Sequence, residues 1–378
     1  MSTDSNEYDL AVVGAGVIGL GAALAARERG LRVIVLERAA AIVGASVRNF
    51  GHVGVTGQSG RAHDLARETR RRWLRLAERV ALPVRAEGAT LVARGDDEME
   101  LLDAFADRRG DGIRVLGRRE ALAEAPVSEH GVVGGARLVE DLQLDPRTAA
   151  VHLAEALAGD GVRIEYGCAV SAVEPGLVRT SRGEVRAKAV VVAVNADVDQ
   201  FFPAAAADAG IRRCRLEMLA LDGAHRPRLE RPLLTGTALL RYSGFRDLPG
   251  AKALRARYQR DWPEAFEFDI NLMATQRADG TLILGDTHAR GDVASPFQQE
   301  AAFDALLDAA RGLFGGPPMR VLQRWQGVYA AAEEEFFVHA PADGVRAVSV
   351  TTGIGMTCGL GLAASVVDGL FGEREGSS

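Results

Sequence analysis

A glycine turn between an apolar strand and an alanine-rich helix constrains the fold of this chain more than any other segment. The stretch reads YDLAVVGAGVIGLGAALAARERGLRVIVLER and ends in a second apolar strand. Its pattern predicts a strand–helix–strand unit. Gly14, Gly16 and Gly19 form GxGxxG directly after the first strand, which is the context that dinucleotide binding requires. The segment therefore predicts a Rossmann-like α/β domain.

Each glycine of this motif has a separate physical task. Gly14 permits the tight turn, Gly16 lets backbone N–H groups approach a pyrophosphate, and Gly19 lets the helix pack closely on the strand. The helix N-terminus adds partial positive charge, and Glu37 at the end of the second strand is suited to bind ribose hydroxyls. The alternative is a glycine-rich helix start that binds nothing. The motif alone does not distinguish NAD from FAD.

Later segments indicate a discontinuous cofactor domain. EVRAKAVVVAVNAD reads as a strand buried on both faces, and VRAVSVTTGIGMTCGLGLAASVVDGLF repeats the strand, glycine turn and helix pattern. RCRLEMLAL, FDINLMATQ and TLILGD read as longer, half-polar strands of an antiparallel sheet, and charged helical segments are expected over 96–126. The predicted class is α/β, with α+β character overall. Residues 1–85, 141–204 and 323–378 are assigned to a Rossmann-like cofactor domain, and residues 86–140 and 205–322 to an antiparallel-sheet substrate domain with flanking helices.

Composition excludes several classes of protein. The 378 residues are 47% hydrophobic and 25% charged, as in a globular protein of about two domains. A net charge of -6 argues against a nucleic-acid partner. Cys168, Cys214 and Cys358 lie far apart and suggest neither a disulfide framework nor a metal site, so a reducing, cytoplasmic setting is expected. Charged residues on both sides of the first apolar stretch argue against a signal peptide or a membrane span.

Two glycine-bearing loops extend the predicted site beyond the first motif. GASVRNFGHVGV, residues 44–55, carries small residues where a backbone would press against a flat cofactor. GIGMT, residues 353–357, precedes a helix whose N-terminal N–H groups and dipole would favour a bound anion by about 0.3 to 1 kcal/mol, and by up to about 2 kcal/mol when partly buried. The alternative for the second loop is a plain glycine turn before a helix.

With these segments in order, nearly the whole chain resembles the flavoprotein amine oxidases of the glycine oxidase, sarcosine oxidase and D-amino-acid oxidase superfamily. The matching elements are the first motif, GASVRNFG, VVVAVNAD, RWQG and TTGIGMTCGLGLA. The resemblance implies bound FAD. It implies FAD contacts at Gly14, Gly16, Val17, Ile18, Gly19, Glu37, Arg38, Ala45, Ser46, Arg48, Asn49, Val170, Gly353, Gly355, Met356 and Thr357.

The resemblance also carries expectations about the flavin ring. His52 is expected near the ring, with a solvated loop histidine as the alternative. Members that hold flavin covalently use a cysteine in the closing part of the chain. The late cysteine here, Cys358, belongs to the helix start itself, so non-covalent FAD is expected.

SVRNFG, RCRLEML, LMATQRADGTLILGDTH and RWQGVYA together resemble a subgroup proposed to act on aminophosphonates. The amino-acid oxidases usually read W-x-G-x-R-P at WQGVYA, and their arginine clamps the substrate carboxylate. This chain has Tyr329 and Ala330 there, which puts ordinary carboxylate recognition in doubt. Candidates for binding a substrate anion are Arg324, Arg241, Arg48 and His288, each with a structural or solvent-exposed charge as its alternative.

The expected reaction is oxidation of a small, anionic amine. Hydride passes from the C–H beside the nitrogen to flavin N5, the imine hydrolyses to a carbonyl, and hydrogen peroxide forms if oxygen is the electron acceptor. The catalytic candidates are His52, Tyr329, Arg324 and His288, and no dedicated base is required once the amine is neutral. The alternatives are a secondary-amine or N-methyl amino-acid oxidase, an NAD-dependent dehydrogenase, and a flavin-binding protein without turnover. The sequence indicates no oligomeric state.

Overall fold

A computed structural model of the chain describes residues 7–223 and 226–372. The ends of the predicted cofactor domain, residues 1–6 and 373–378, lie outside the described residues. The strands are β1 (Glu7–Val13), β2 (Val33–Glu37), β3 (His52–Val53), β4 (Val84–Arg85), β5 (Ala89–Ala93), β6 (Ile113–Gly117), β7 (Gly134–Leu138), β8 (Leu142–Leu144), β9 (Arg163–Tyr166), β10 (Val170–Glu174), β11 (Leu177–Thr180), β12 (Gly183–Val192), β13 (Arg212–Leu221), β14 (Leu233–Leu234), β15 (Met273–Gln276), β16 (Leu282–Gly285), β17 (Ala289–Gly291), β18 (Val321–Ala342) and β19 (Val345–Thr352). The helices are α1 (Val17–Arg27), α2 (Gly60–Arg79), α3 (Asp96–Arg109), α4 (Arg118–Glu124), α5 (Ala149–Gly159), α6 (Pro203–Asp208), α7 (Ser243–Arg246), α8 (Ala251–Asp261), α9 (Glu264–Glu267), α10 (Glu300–Phe314) and α11 (Gly355–Phe371).

A mixed sheet runs through the molecule. Across residues 7–223 and 226–372 it contains 16 strands, beside a smaller sheet of three in the order β3-β8-β4. One end of the large sheet is parallel, in the order β9-β2-β1-β12-β19. The strand–helix–strand prediction and the α/β class are confirmed by this parallel end, where the apolar β1 and β2 lie side by side.

Helices α1 and α11 cover the parallel strands, and α2 packs on α11. Both α1 and α11 are buried over most of their length, which explains their small, apolar composition. The approach of α2 to α11 is close, because a Cβ added at Gly361 would lie 2.3 Å from the carbonyl oxygen of Leu65. This packing fixes the N-terminus of α11 against the end of the parallel strands.

The other half of the sheet is antiparallel, as predicted, except that β5 and β14 pair in parallel. Strand β13 is not half-polar, since eight of its ten residues are buried. Its two internal charges, Arg215 and Glu217, form an ion pair of 2.8 Å, which lowers the cost of burying both. The 96–126 segment is not helical throughout, because β6 separates α3 from α4. Helices α7, α8 and α9 lie between β14 and β15, where the sequence analysis located no individual helix.

Strand β18 connects the two halves of the sheet. Its first part, from Val321 to Ala331, pairs with β13, and its second part, from Ala331 to Ala342, pairs with β19. The predicted domain boundary near residue 323 falls inside this strand, so the division into two domains stays a prediction. In the described ranges no helix combines the length and the apolar character needed to cross a bilayer.

Candidate active site

The turn between β1 and α1 forms one end of a cavity of about 550 Å³. Gly14 has φ +101°, and a Cβ there would lie 2.6 Å from the carbonyl oxygen of Ala193. A Cβ on Gly19 would lie 1.9 Å from the Gly14 carbonyl oxygen, so the third glycine of the motif serves helix–strand packing, as its spacing predicted. Helix α1 begins at Val17, and the positive end of its dipole lies at the cavity, which Gly16, Val17 and Ile18 line.

Glu37 closes this end of the cavity at the end of β2. Its two carboxylate oxygens accept hydrogen bonds from Ala15 N and Ala39 N, each at 2.9 Å. These bonds hold the carboxylate beside the glycine turn, where a ribose is expected. Arg38 also lines the cavity and pairs with Asp197 at 2.6 Å.

The loop over residues 44–52 also lines the cavity and contacts the start of α1. Ser46 Oγ accepts a hydrogen bond of 2.9 Å from Val17 N at the start of α1. Asn49 braces the loop itself, because its Nδ2 donates to the carbonyl oxygens of Ala45 and Ser46 and its Oδ1 accepts from Gly51 N at 2.7 Å. The small residues of this loop therefore allow a tight turn whose polar groups are satisfied locally.

His52 extends the same loop into the buried interior. Its Nε2 lies 2.8 Å from Oδ2 of Asp141, whose other oxygen accepts a hydrogen bond from Thr56 N at 2.8 Å. Asp141 is fully buried and His52 nearly so, so His52 is not a solvated loop histidine. The pair orients the imidazole at the wall of the cavity.

The second predicted loop, residues 353–357, meets the first within this cavity. Gly353 has φ +80°, and a Cβ there would lie 3.1 Å from Tyr329 Oη. Helix α11 begins at Gly355, where an added Cβ would have no heavy atom within 4 Å. Thr357 ties the loops together, since its Oγ1 accepts a hydrogen bond of 3.0 Å from Gly54 N. Helix α11 therefore presents unpaired N–H groups and open space to the cavity, which suits an anionic ring edge.

The far end of the cavity is a polar chamber beyond Tyr329. The chamber is lined by Arg241, Tyr242, Asn271, Met273, Asp286, His288 and Tyr329. Arg241 pairs with Asp269 at 2.6 Å, and Asp269 also pairs with Arg290 at 2.5 Å. Although partial burial opposes the effect, Arg241 and Arg290 hold the pKa of Asp269 below its usual value.

Two side chains in the chamber have strongly shifted pKa values. Burial raises the pKa of the Asp286 carboxyl to about 7, against an opposing effect of Arg241. Burial and Arg241 together lower the pKa of His288 well below its usual value. Because His288 Nδ1 lies 2.8 Å from the Asp269 carbonyl oxygen, that nitrogen donates a hydrogen, and the neutral ring presents its unprotonated Nε2 at 3.6 Å from Asp286 Oδ2.

Desolvation also raises the pKa of Tyr242 to about 12 and that of Tyr329 well above its usual value. Both phenols therefore stay neutral across the physiological range.

A second cavity of about 360 Å³ adjoins the 550 Å³ cavity, and the two share Arg241, Tyr329 and Thr352 in their walls. Arg246, Arg255 and Arg290 also line the second cavity.

Most of the residues predicted from the sequence meet in the 550 Å³ cavity. Its walls include the predicted cofactor residues Gly14, Gly16, Val17, Ile18, Glu37, Arg38, Ala45, Ser46, Arg48, Asn49, Val170, Gly353, Gly355, Met356 and Thr357. The candidates His52, His288, Tyr329 and Arg241 line it as well. Arg324 is not among the residues that line it; its guanidinium pairs with Glu300 at 3.3 Å and lies over the Phe303 ring of α10.

Four side chains of the chamber were missed in the sequence analysis, namely Tyr242, Asn271, Met273 and Asp286. The sequence signal that could have identified Asp286 was an aspartate directly after the apolar strand LILG.

Cys358, the cysteine considered for covalent flavin, is fully buried and its Sγ contacts the Ala62 carbonyl oxygen at 3.3 Å.

Comparison with known proteins adds family evidence to this geometry. The model of a family described as "DAO: FAD dependent oxidoreductase" matches residues 9–368. An aerobic glycerol-3-phosphate dehydrogenase of Staphylococcus aureus is 25% identical over 174 residues, covering 42% of this chain and 31% of the dehydrogenase. The chain thus matches less than a third of the length of that relative.

Two solved structures share the fold over almost the whole chain. Glycine oxidase from Geobacillus kaustophilus has a TM-score of 0.75 at 19% identity, covering 98% of this chain and 96% of its own. An L-alpha-glycerophosphate oxidase from Mycoplasma pneumoniae, solved with FAD bound, has a TM-score of 0.70 at 17% identity, covering 96% of this chain and 94% of its own.

Proposed function

The chain belongs to the FAD-dependent oxidoreductase family whose model spans residues 9–368, and on this premise we propose that it oxidises the C–N bond of a small anionic amine, in particular an aminophosphonate. The product is an imine that water hydrolyses to a carbonyl compound. Oxygen or another electron acceptor reoxidises the enzyme. The single observation that carries the proposal is the continuity of one cavity from the glycine turn to the charged chamber of Arg241, Asp286 and His288.

The residues at the glycine end of the cavity fit FAD. A Cβ at Gly16 would lie 3.2 Å from Ser46 Oγ, so glycine keeps this part of the cavity open for a pyrophosphate beside α1. Glu37 would hold the ribose, and the N-terminus of α11 would face the pyrimidine edge. Bound FAD supplies the redox chemistry by accepting two electrons from the carbon beside the nitrogen. We propose that the cofactor is held without a covalent bond, since Cys358 points to Ala62.

Arg241 is suited to bind the anionic group of the substrate. Its guanidinium lines the chamber with 21% of its side chain exposed, and one edge is held by Asp269. The position that carries a carboxylate-binding arginine in related amino-acid oxidases is Tyr329, a neutral phenol in this chain. An anion must therefore be bound from another element, and a guanidinium placed on its own loop can face a tetrahedral phosphonate.

A second candidate function is oxidation of a secondary or N-methyl amino acid. The shared fold with a glycine oxidase favours this chemistry. The neutral Tyr329 weighs against it, because a carboxylate in this chamber would lack the arginine of those enzymes.

The experiment that tests the proposal is dye-linked turnover of the FAD-loaded protein across a panel of 2-aminoethylphosphonate, its N-methyl derivative, glycine, sarcosine and glycerol 3-phosphate. The proposal expects the highest kcat/KM with an aminophosphonate. Preference for glycine or sarcosine would favour the second candidate. Preference for glycerol 3-phosphate would contradict oxidation at nitrogen.

Two arginine variants make the test specific. Arg241→Gln is expected to raise KM for the aminophosphonate by about tenfold to a hundredfold, which corresponds to loss of a charged hydrogen bond of about 1.5 to 3 kcal/mol. Arg324→Gln is the matched control, because Arg324 lies on the α10 side of β18, and its KM is expected to stay at the wild-type value. The reverse ranking of the two variants would refute the assignment of Arg241.

A further inference from the structure

Asn271 and Asp286 lie side by side at the chamber wall. Asn271 N donates to the Asp286 carbonyl oxygen at 2.8 Å, and Asp286 N donates to the Asn271 carbonyl oxygen at 2.9 Å. These reciprocal bonds lie next to the last β15–β16 pair, Met273 with Gly285, and are one residue out of its register. Both side chains line the cavity.

Each of these side chains has an acceptor oxygen without a donor. Asp286 Oδ1 and Asn271 Oδ1 are buried and have no hydrogen-bond partner among the described residues. Asp286 is 6% exposed and Asn271 is 4% exposed. Buried acceptors are nearly always satisfied in folded proteins, so two adjacent ones that face the same cavity indicate a missing donor group.

The nearby cations do not supply that donor. Arg241 and Arg290 both direct a guanidinium N–H to Asp269. His288 donates its Nδ1 hydrogen to the Asp269 carbonyl oxygen and turns an unprotonated nitrogen toward Asp286. Burial raises the pKa of Asp286 although Arg241 and the Asn271 side chain oppose this effect, so a cationic ligand would lower the remaining cost of the ionised carboxyl.

We propose that Asp286 and Asn271 bind the ammonium group of the substrate and that Asp286 accepts one of its protons; this inference rests on the function proposed above. An ammonium group offers three N–H donors and matches two adjacent acceptors. In the proton transfer an N–H bond breaks and a carboxyl O–H bond forms, which leaves a neutral amine next to the carbon to be oxidised. This assignment supplies the group that neutralises the ammonium, and no further base is required once the amine is neutral.

The two charged groups of the substrate would then be bound by different residues of the chamber. Arg241 would take the anionic group, while the carboxyl of Asp286 takes the ammonium group. Because the pKa of Asp286 is raised to about 7, its carboxyl can both accept and release a proton near neutral pH. An alcohol of the same length has a single O–H donor in place of three N–H donors, so it would bind Asp286 and Asn271 more weakly than the amine does.

The test compares two ligands that differ only at the ammonium group, 2-aminoethylphosphonate and propylphosphonate. Binding is measured by calorimetry on the FAD-loaded protein after anaerobic reduction with dithionite, so that no turnover occurs. The wild type is expected to prefer the amine by at least about tenfold. Asp286→Asn is expected to abolish this preference while the Kd for propylphosphonate stays within about twofold.

Asp279→Asn is the matched control. Asp279 precedes β16 at the end opposite Asp286, and 53% of its side chain is exposed. This variant is expected to keep the wild-type preference. A D286N protein with native flavin spectrum and native Tm that still prefers the amine overturns the assignment, and so does a wild type without a preference.

The pH dependence of the wild type gives a readout that needs no variant. Between about pH 6 and about pH 8, once each Kd is corrected for the separately measured second ionisation of its own phosphonate, the ratio of the two Kd values is expected to change by about tenfold in favour of the amine, as Asp286 ionises. The other titratable groups around Asp286 are Arg241, Tyr242, Asp269, His288, Arg290, Tyr329 and Cys214. Arginine stays charged, the pKa values of His288 and Asp269 are lowered, and those of the phenols and of Cys214 are raised, so none of these groups titrates in this window. A constant ratio overturns the assignment.

These outcomes separate the inference from the proposed function. If no amine reduces the enzyme but the preference is lost in D286N, the ammonium site stands and the oxidation proposal fails. If amines reduce the wild type and D286N keeps the preference, the oxidation stands and the ammonium site fails.

Discussion

Replacing Asp286 with asparagine changes how the stability of the protein depends on pH. The carboxyl is 6% exposed, and burial raises its pKa to about 7. The same carboxyl in an unfolded chain ionises near a pKa of about 3.9. Between these two values the folded protein keeps a proton that the unfolded chain has released, so the free energy of unfolding falls as the pH rises.

The magnitude follows from the width of this window. Each pH unit between the two pKa values costs about 1.4 kcal/mol. From about pH 5 to about pH 7 the wild type therefore loses about 3 kcal/mol, and no further loss from this group follows above that range. Asparagine does not titrate, so the stability of D286N relative to the wild type is expected to increase by about 3 kcal/mol between about pH 5 and about pH 9.

Urea unfolding of the FAD-saturated proteins, followed by far-ultraviolet circular dichroism, measures this difference. Asp279→Asn serves as the control, because the pKa of Asp279 is lowered and its carboxyl is ionised in both states from pH 5 upward. Its stability relative to the wild type is expected to be the same at the two pH values. A D286N difference that stays constant or shrinks at high pH would refute the claim that Asp286 is buried without a sufficient countercharge.

Three further predictions concern the cofactor end of the cavity. Gly14→Ala is expected to weaken FAD binding more than tenfold in a fluorescence titration, because its Cβ would lie 2.6 Å from the Ala193 carbonyl oxygen. Gly30→Ala is the control, since Gly30 has φ +78° and its added Cβ would have no atom within 4 Å. It should cost about 1 kcal/mol of stability and leave the Kd for FAD unchanged. Ser46→Ala is expected to lower the free energy of unfolding by about 1 kcal/mol in urea titrations, because Val17 N loses its acceptor. Acid precipitation is expected to release all of the FAD into the supernatant from the wild type and from Cys358→Ser alike, and flavin retained by the wild-type pellet would contradict non-covalent binding.

The parts of the fold that depend on local pattern were predictable from the sequence. The strand–glycine–helix unit at Gly14 and the apolar run of β12 each encode their own structure, through turn chemistry and burial on both faces. Strand β18 was not predictable as one element of 22 residues, because its two parts pair with different strands. Helices α7 and α9 have four residues each, too few to show a helical period.

The candidate site, like the fold, was predictable only where the sequence pattern is local. The two glycine loops were found because they lie directly beside recognisable strands and helices. Asp286 was missed because an aspartate after a strand reads as a turn residue, and its meaning comes from backbone pairing with Asn271, 15 positions earlier in the sequence. Arg324 lies outside the cavity because its guanidinium faces α10, where it pairs with Glu300 and lies over the Phe303 ring, and the order of residues in the sequence does not show that packing.

Anaerobic titration of the purified, FAD-loaded protein with 2-aminoethylphosphonate tests the central claim most directly. The account predicts that the visible absorption band of the flavin bleaches, with one carbonyl product formed per flavin reduced. A band that stays unchanged with this compound and with every other amine of the panel, yet disappears on addition of dithionite, would contradict the account.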